Sequence, residues 1–227
     1  MTQAKRAAPA RATAWVLENK TLSPVEQAYN YILQGILSGE LAPGMRVPSE
    51  SVAEALGISR MPVRDALRRL EGDGAVTIYA NRGATVAEYS HDDVIQLIEM
   101  RAVLEALGAR LALAHIGDAE MEEFVHLRER MDRAVNDLPN WITRHDDFHN
   151  YLTSLSRRPL LMRQTERIRM MLRPYFRRHH AEQQELEIPG HEHQKIIDAV
   201  ASGNPDVVEQ TVRAHALANV EKIANLT

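Results

Sequence analysis

The 227-residue chain contains no cysteine. That absence removes disulfide scaffolds, thiol nucleophiles and thiolate metal ligands together, and a reducing, cytoplasmic setting is expected. Aromatic residues are scarce at 5%, although a hydrophobic share of 44% is enough to build a core. No apolar run reaches the roughly 18 residues needed to span a bilayer, so no membrane partner is expected. The short basic, Ala-rich opening (Met1 to Arg11) is not followed by the apolar core of a secretory signal. Excess charge is lacking too: 27 Lys+Arg against 31 Asp+Glu give a formal net of -4. Taken as an average, that value speaks against nucleic acid as a partner.

The average conceals a division. Residues 1–89 hold 10 Lys+Arg and 9 Asp+Glu, whereas residues 90–227 hold 17 and 22 and all ten histidines. The simplest account is a disordered tail over 1–20, a first domain over 21–88 and a second over 90–227. The expected fold class is mainly α, with most of the strand-like pattern and turn punctuation in the first part.

The first domain opens with a helix-start signal. Ser23 can cap, Pro24 suits the first helical position and Glu26 completes a capping box. Val25, Tyr29, Ile32, Leu33 and Ile36 then share a helical face, and the helix is expected to stop near Gly39. Pro43-Gly44 reads as a tight turn. Ser49 is expected to cap a second short helix ending at Gly57, and Ser59 a third. On this third helix Val63, Ala66, Leu67 and Leu70 form an i, i+3, i+4, i+7 core stripe, while Arg60, Arg64 and Arg68 repeat every fourth residue elsewhere. Residues 59–69 carry four arginines and one aspartate. Two short helices joined through a glycine turn, the second presenting arginines, fit a major groove, and the amides after Ser59 suit a phosphate. The same spacing also describes an ordinary solvated basic face. The sequence after it favours the groove. Val76 to Tyr79 and Ala84 to Val86 read as strands joined by Asn81-Arg82-Gly83, a wing with Arg82 at its tip, placed to enter a minor groove.

Several separated motifs in order carry a family resemblance. Gly39-Glu40-Leu41-Ala42-Pro43-Gly44, Pro48-Ser49-Glu50, Leu56-Gly57-Ile58-Ser59-Arg60-Met61-Pro62-Val63-Arg64-Asp65-Ala66-Leu67-Arg68-Arg69-Leu70-Glu71 and Asn81-Arg82-Gly83-Ala84 resemble the DNA-binding domain of the GntR family of bacterial transcription regulators, over about residues 22–87. The resemblance implies operator contacts from Ser59, Arg60 and Arg64, with the wing tip from Asn81 to Gly83 in the minor groove. Ser49 and Arg68 complete the expected DNA-binding set. Ser51 stands where many members have arginine, so one family contact does not carry over.

From His91 onward the pattern is helical. A first helix carries Val94, Leu97, Ile98, Leu104, Gly108 and Leu111 on one face. Further stretches lie near 118–137, 140–155, 159–185, 189–202 and 205–225, set apart by Pro139, Pro159, Pro189-Gly190 and Gly203-Asn204-Pro205. Six helices without strands imply an α bundle. Arg101 falls on the apolar stripe of the first helix and needs a partner, either Glu105 one turn on or a ligand carboxylate. His145 and His149 are spaced to share a helix face, and His193 and His215 lie among core-facing positions of two later helices. Together they are compatible with an imidazole metal site inside the bundle. His91, His115, His126, His179, His180 and His191 read as ordinary core or surface residues. Residues 157–178 hold eight arginines and one glutamate, of which Arg169 and Arg173 share a face that can point into a ligand cavity; the others read as surface.

This half is similar to the C-terminal ligand-binding domain of the FadR-type branch of the same family, over roughly residues 90–224. The resemblance lies in Glu99-Met100-Arg101, Phe148-His149, Glu192-His193-Gln194-Lys195 and Arg213-Ala214-His215. It implies a divalent ion on His149, His193 and His215 that binds a small organic acid together with nearby arginines, for which the helix faces above offer Arg101, Arg169 and Arg173. The family's fourth ligand is an aspartate four residues before the first histidine. Here that position is His145, so either His145 or its neighbour Asp146 completes the set. Four imidazoles would favour zinc, nickel or copper, with zinc or nickel expected first.

The function these features imply is a homodimeric transcription regulator, not an enzyme, that binds double-stranded operator DNA under the control of a small carboxylate effector at a metal site. Two other classes use the same residues. One is a sensor in which the ion is the signal. The other is a metal-dependent hydrolase, against which stands the absence of a His-Glu-x-x-His motif.

Overall fold

A computed structural model describes residues 21–80, 82–182, 190–218 and 220. The chain divides into two compact units between Glu88 and Tyr89. The tail over 1–20, Asn81, the side chain of His191 and the end of the last helical stretch toward 225 lie outside the described residues.

In the first unit, α1 (Pro24–Ser38) begins with the reciprocal cap legible in its sequence. The Ser23 hydroxyl accepts from the Glu26 amide, while the Glu26 carboxylate accepts from the Ser23 amide. The Ser23 hydroxyl, which also donates to that carboxylate, and then the Ser23 amide hold the Glu26 carboxyl below its usual range. Gly39 ends the helix at φ 77. Ala28, Ile32 and Ile36 are buried. The Met45 amide donates to the Ala42 carbonyl across Pro43-Gly44, closing the expected turn.

Two short helices follow, α2 (Ser49–Leu56) and α3 (Arg60–Gly72). Here the capping expectations need correction. Pro48, not Ser49, occupies the N-cap of α2, and Ser49 is already helical, its amide bonded to the Val47 carbonyl. Ser59 does sit at the N-cap of α3, but its hydroxyl makes no capping bond. Val63, Ala66, Leu67 and Leu70 of α3 are buried against α1 and α2, as their spacing predicts.

Strands β1 (Val76–Tyr79) and β2 (Gly83–Val86) pair antiparallel with Val76 opposite Val86 and Tyr79 opposite Gly83. The sequence reading missed the chain that covers the other edge of β2. Gly44 donates to the Val86 carbonyl, Val86 to Met45 and Val47 to Ala84. Both edges of β2 are therefore bonded. Three residues between Gly44 and Pro48 are too few to show strand periodicity.

The second unit holds α4 (His91–Ala112), a 3-10 turn (Leu113–His115), α5 (Asp118–Arg133), α6 (Leu138–Ser154), α7 (Pro159–Glu182), α8 (Gly190–Ala201) and α9 (Pro205–Leu217). Ser90 and Asp93 form a second capping box at the start of α4. Helix α5 ends four residues before the expected boundary, because Asp137 is used as a cap for α6, its carboxylate accepting from the Asn140 amide. Helix α4 is the spine on which α6, α7 and α9 pack. Ala102, Ala106, Ala109 and Ala112 keep its buried face narrow. Phe124 and Phe148 stack at 4.3 Å between ring centroids beneath it. That packing fixes the inward face of α6, which carries the histidines.

Candidate DNA interface and metal centre

The exposed side of α3 carries most of the local positive charge. Arg60, Arg64 and Arg68 are all exposed. Arg60 pairs with Glu50 at 2.9 Å and Arg68 approaches Asp65 at 4.0 Å, whereas Arg64 makes no ion pair among the described residues. Exposed pairs of this kind contribute little and are readily exchanged for a phosphate. Arg69 is different. Its guanidinium lies 4.2 Å from the centre of the Tyr29 ring, and the Tyr29 hydroxyl donates to Asp73 at 2.8 Å. Burial and that carboxylate push the Tyr29 phenol up to about 12. Arg69 and Tyr29 thus tie α3 to α1, and three arginines remain for outside contacts. Arg82 is exposed at the wing tip, and Gly83 follows at φ 81, a conformation that a side chain would strain. Ser59 is exposed and Ser49 half-buried.

In the second unit α6 supplies His145 and His149, α8 supplies His193 and α9 supplies His215. One ring nitrogen from each lies within 4.8 Å of the others. Ring centroids are 4.5 Å apart for His145 and His149, 5.0 Å for His149 and His215, and 4.7 Å for His193 and His215. Burial, reinforced by neighbouring imidazoles and by Arg169, holds His145, His149 and His215 well below the usual histidine range. Neutral imidazole is the form that coordinates a cation. Nε2 of His149 is buried with no hydrogen-bond partner among the described residues. A buried donor or acceptor without a partner is costly. An ion shared by four neutral imidazoles would satisfy it, so the residues present fit a borderline divalent metal.

Asp146 faces another way. Its carboxylate accepts from Arg173 at 3.1 Å and lies 3.7 Å from Arg169. Burial raises its carboxyl, and those guanidinium groups with Arg101 pull it back. Among the described residues, the set within coordinating reach is the four histidines, and Asp146 is not in it.

Beside His145 lies a small pocket that opens to solvent. Arg101, Arg169 and Arg173 line it with Asp146, and Trp141, Ile142, Phe176 and His180 form its apolar and aromatic wall. Beneath the arginines lies Glu105. Arg169 reaches one of its oxygens at 2.5 Å and Arg101 the same oxygen at 3.7 Å, while the other oxygen lies 4.0 Å from Nδ1 of His149. The 2.5 Å contact is an ion contact and not an aligned hydrogen bond, since neither atom finds a bond of good angle there. Burial lowers the Arg101 guanidinium to about 10, with Glu105 opposing the shift. Three guanidinium groups face two carboxylates, leaving one positive charge over.

The structure thus brings the three expected effector arginines and the four histidines into one region. Glu105 serves two arginines, not only Arg101. Sequence reasoning missed Trp141, Phe176 and His180. The signals existed: Trp141 lies four before His145, and Phe176 and His180 extend the Arg169 and Arg173 face by three and seven residues. His91 and His126 are exposed, His115 half-buried and His179 buried. In the arginine-rich stretch, Arg157, Arg158, Arg163, Arg167 and Arg178 are exposed.

Comparison with known proteins agrees with this architecture. Residues 24–86 match the family described as bacterial regulatory proteins, gntR family, and residues 96–218 match the FCD domain. The chain is 26% identical over 195 residues to the uncharacterised HTH-type transcriptional regulator YdhC of Bacillus subtilis, covering 83% of this chain and 86% of that one. It is 25% identical over 199 residues to the HTH-type transcriptional repressor GlaR of Escherichia coli, covering 83% and 90%. The fold is similar to that of E. coli McbR/YncC, with a TM-score of 0.79 at 21% identity over 90% of this chain and 99% of that one. The chain belongs to the GntR family of transcription regulators and carries an FCD domain after its winged helix-turn-helix. These families and relatives are transcription regulators, not enzymes. No helix among the described residues is long and apolar enough to cross a membrane.

Proposed function

We propose that this regulator is a cytoplasmic homodimer whose operator affinity is set by a small carboxylate bound beside a metal ion. Operator contacts fall to Ser49, Ser59, Arg60, Arg64, Arg68, Arg82 and Gly83, with Asn81 as the wing residue outside the described part. Dimerisation follows from the match between protein two-fold symmetry and paired half-sites. His145, His149, His193 and His215 hold the ion, zinc or nickel. When bound, it would supply a Lewis-acidic positive centre next to the pocket.

The observation that carries the reading is the juxtaposition of that histidine set with a pocket where Arg101, Arg169 and Arg173 outnumber Glu105 and Asp146. The guanidinium forks can hold a carboxylate in bidentate fashion. Trp141 and Phe176 keep water from the ligand's apolar body. Arg173 bridges α7 to Asp146 on α6, so a ligand that competes for Arg173 biases the packing of two helices.

The test combines metal analysis of the purified protein with gel-shift affinity for a selected duplex, across a panel of small carboxylates with and without chelator. A carboxylate that changes affinity only in the metal-loaded protein supports the reading. Failure to take up zinc or nickel overturns it. An all-nitrogen ligand set also favours a second reading, in which the ion itself is the signal. In that case DNA affinity responds steeply to metal at fixed carboxylate, whereas a structural ion gives no response.

A further inference from the structure

The outward face of α3 contains a residue that its core does not explain. Met61 is 59% exposed. At about 100° per residue, Met61 points almost directly away from the stripe of Val63, Ala66, Leu67 and Leu70. It shares its face with Arg64, Asp65 and Arg68, at three, four and seven residues along. Single exposed apolar residues are common on protein surfaces. Met61 differs in its place, at the middle of a charged face in the first turn of the helix, between Arg60 and Arg64. Its side chain is no part of the buried core.

The charge around it selects the partner. Arg60 and Arg68 hold only exposed carboxylates and Arg64 holds none among the described residues, so this face suits a polyanion and not an apolar protein patch. Within a major groove every base edge offers hydrogen-bonding groups, and thymine alone adds an apolar one, its 5-methyl group. Methionine is long, unbranched and polarisable, suited to cover a methyl group without fixing a rigid geometry.

We propose that Met61 reads a thymine 5-methyl group in the operator, setting sequence preference at a position between the bases or phosphates contacted by Arg60 and Arg64. The inference rests on the operator-binding reading of α3. Met61 would thus supply direct readout while the arginines supply most of the affinity.

The test uses the full chain and a duplex recovered by selection from a random-sequence pool. Each thymine of the half-site is replaced in turn by deoxyuridine, which deletes only the methyl group. For the wild-type chain, replacement at one position should weaken binding by about fourfold, the effect of uncovering one methyl group. The Met61→Ala chain should bind the thymine and uracil duplexes equally, and Met61→Leu should retain part of the difference. Circular dichroism of both variants should match the wild type, since the side chain is largely solvated. If no replacement affects the wild type, or Met61→Ala shows the same penalty, the assignment of Met61 is overturned while operator binding stands. If no duplex is enriched at all, the operator reading falls, and the Met61 assignment with it.

Discussion

Arg169 on α7 and Glu105 on α4 meet at 2.5 Å with both side chains buried, and the same carboxylate also serves Arg101. Removing one partner of a buried pair leaves an uncompensated charge and costs about 3–5 kcal/mol. Glu105→Gln should therefore destabilise the helical unit by about 3 kcal/mol in urea unfolding followed by circular dichroism. Glu105→Gln combined with Arg169→Met should recover part of that loss. A change below about 0.5 kcal/mol, as for an ordinary surface substitution, would show that the carboxylate does not support the packing.

His193→Ala should lower the metal content of the purified protein while leaving the affinity of the metal-free protein for DNA unchanged. Trp141 offers a direct readout, because its ring lies 5.1 Å from that of His145. In a Trp15→Phe background Trp141 is the sole tryptophan, and nickel should quench its emission. The quenching should vanish with His193→Ala. Unaltered metal content in that variant would remove His193 from the ligand set.

The metal-free protein should lose stability as pH falls. His145, His149 and His215 are held well below the ordinary value of 6.5. Below pH 6.5 the unfolded chain binds protons on these residues that the folded chain refuses, so the stability of the folded state rises with pH there and levels off above it. Each histidine contributes at most about 1.4 kcal/mol per pH unit. Thermal unfolding between pH 7.5 and 5 should show the decline, and His149→Gln should reduce its slope.

Arg64→Ala should weaken DNA binding across all sequences and reduce the slope of log affinity against log salt by about one. Gel shifts at four salt concentrations would show this. An unchanged slope would mean that Arg64 meets no phosphate.

Features governed by local physics were legible in the sequence. The Ser23 and Glu26 capping box, the stripe from Val63 to Leu70, and the shared face of His145 and His149 all follow from spacing along one helix. What escaped depends on neighbours far along the chain. Arg169 and Glu105 are 64 positions apart, and nothing local marks the choice of Glu105 over another acid. The strand-like run before Pro48 was too short for a period to show. The residue type favours Ser49 as the cap of α2, but Pro48 takes that position and Ser49 lies inside the first turn. The pocket wall of Trp141, Phe176 and His180 needed two helices to be docked before it could be seen.

His145 and Asp146 are consecutive on α6, yet one joins the imidazole cluster and the other joins the guanidinium cluster. A one-residue slip of this helix would turn every side chain by about 100°. Both clusters would be dismantled together, and no point substitution could restore either. A change of length inside α6 is therefore expected to dismantle the centre, whereas the joints that flank this helix, at 134–137 and 155–158, lie outside that register. Reading frame within one helix, more than the identity of any single ligand, is what this centre cannot lose.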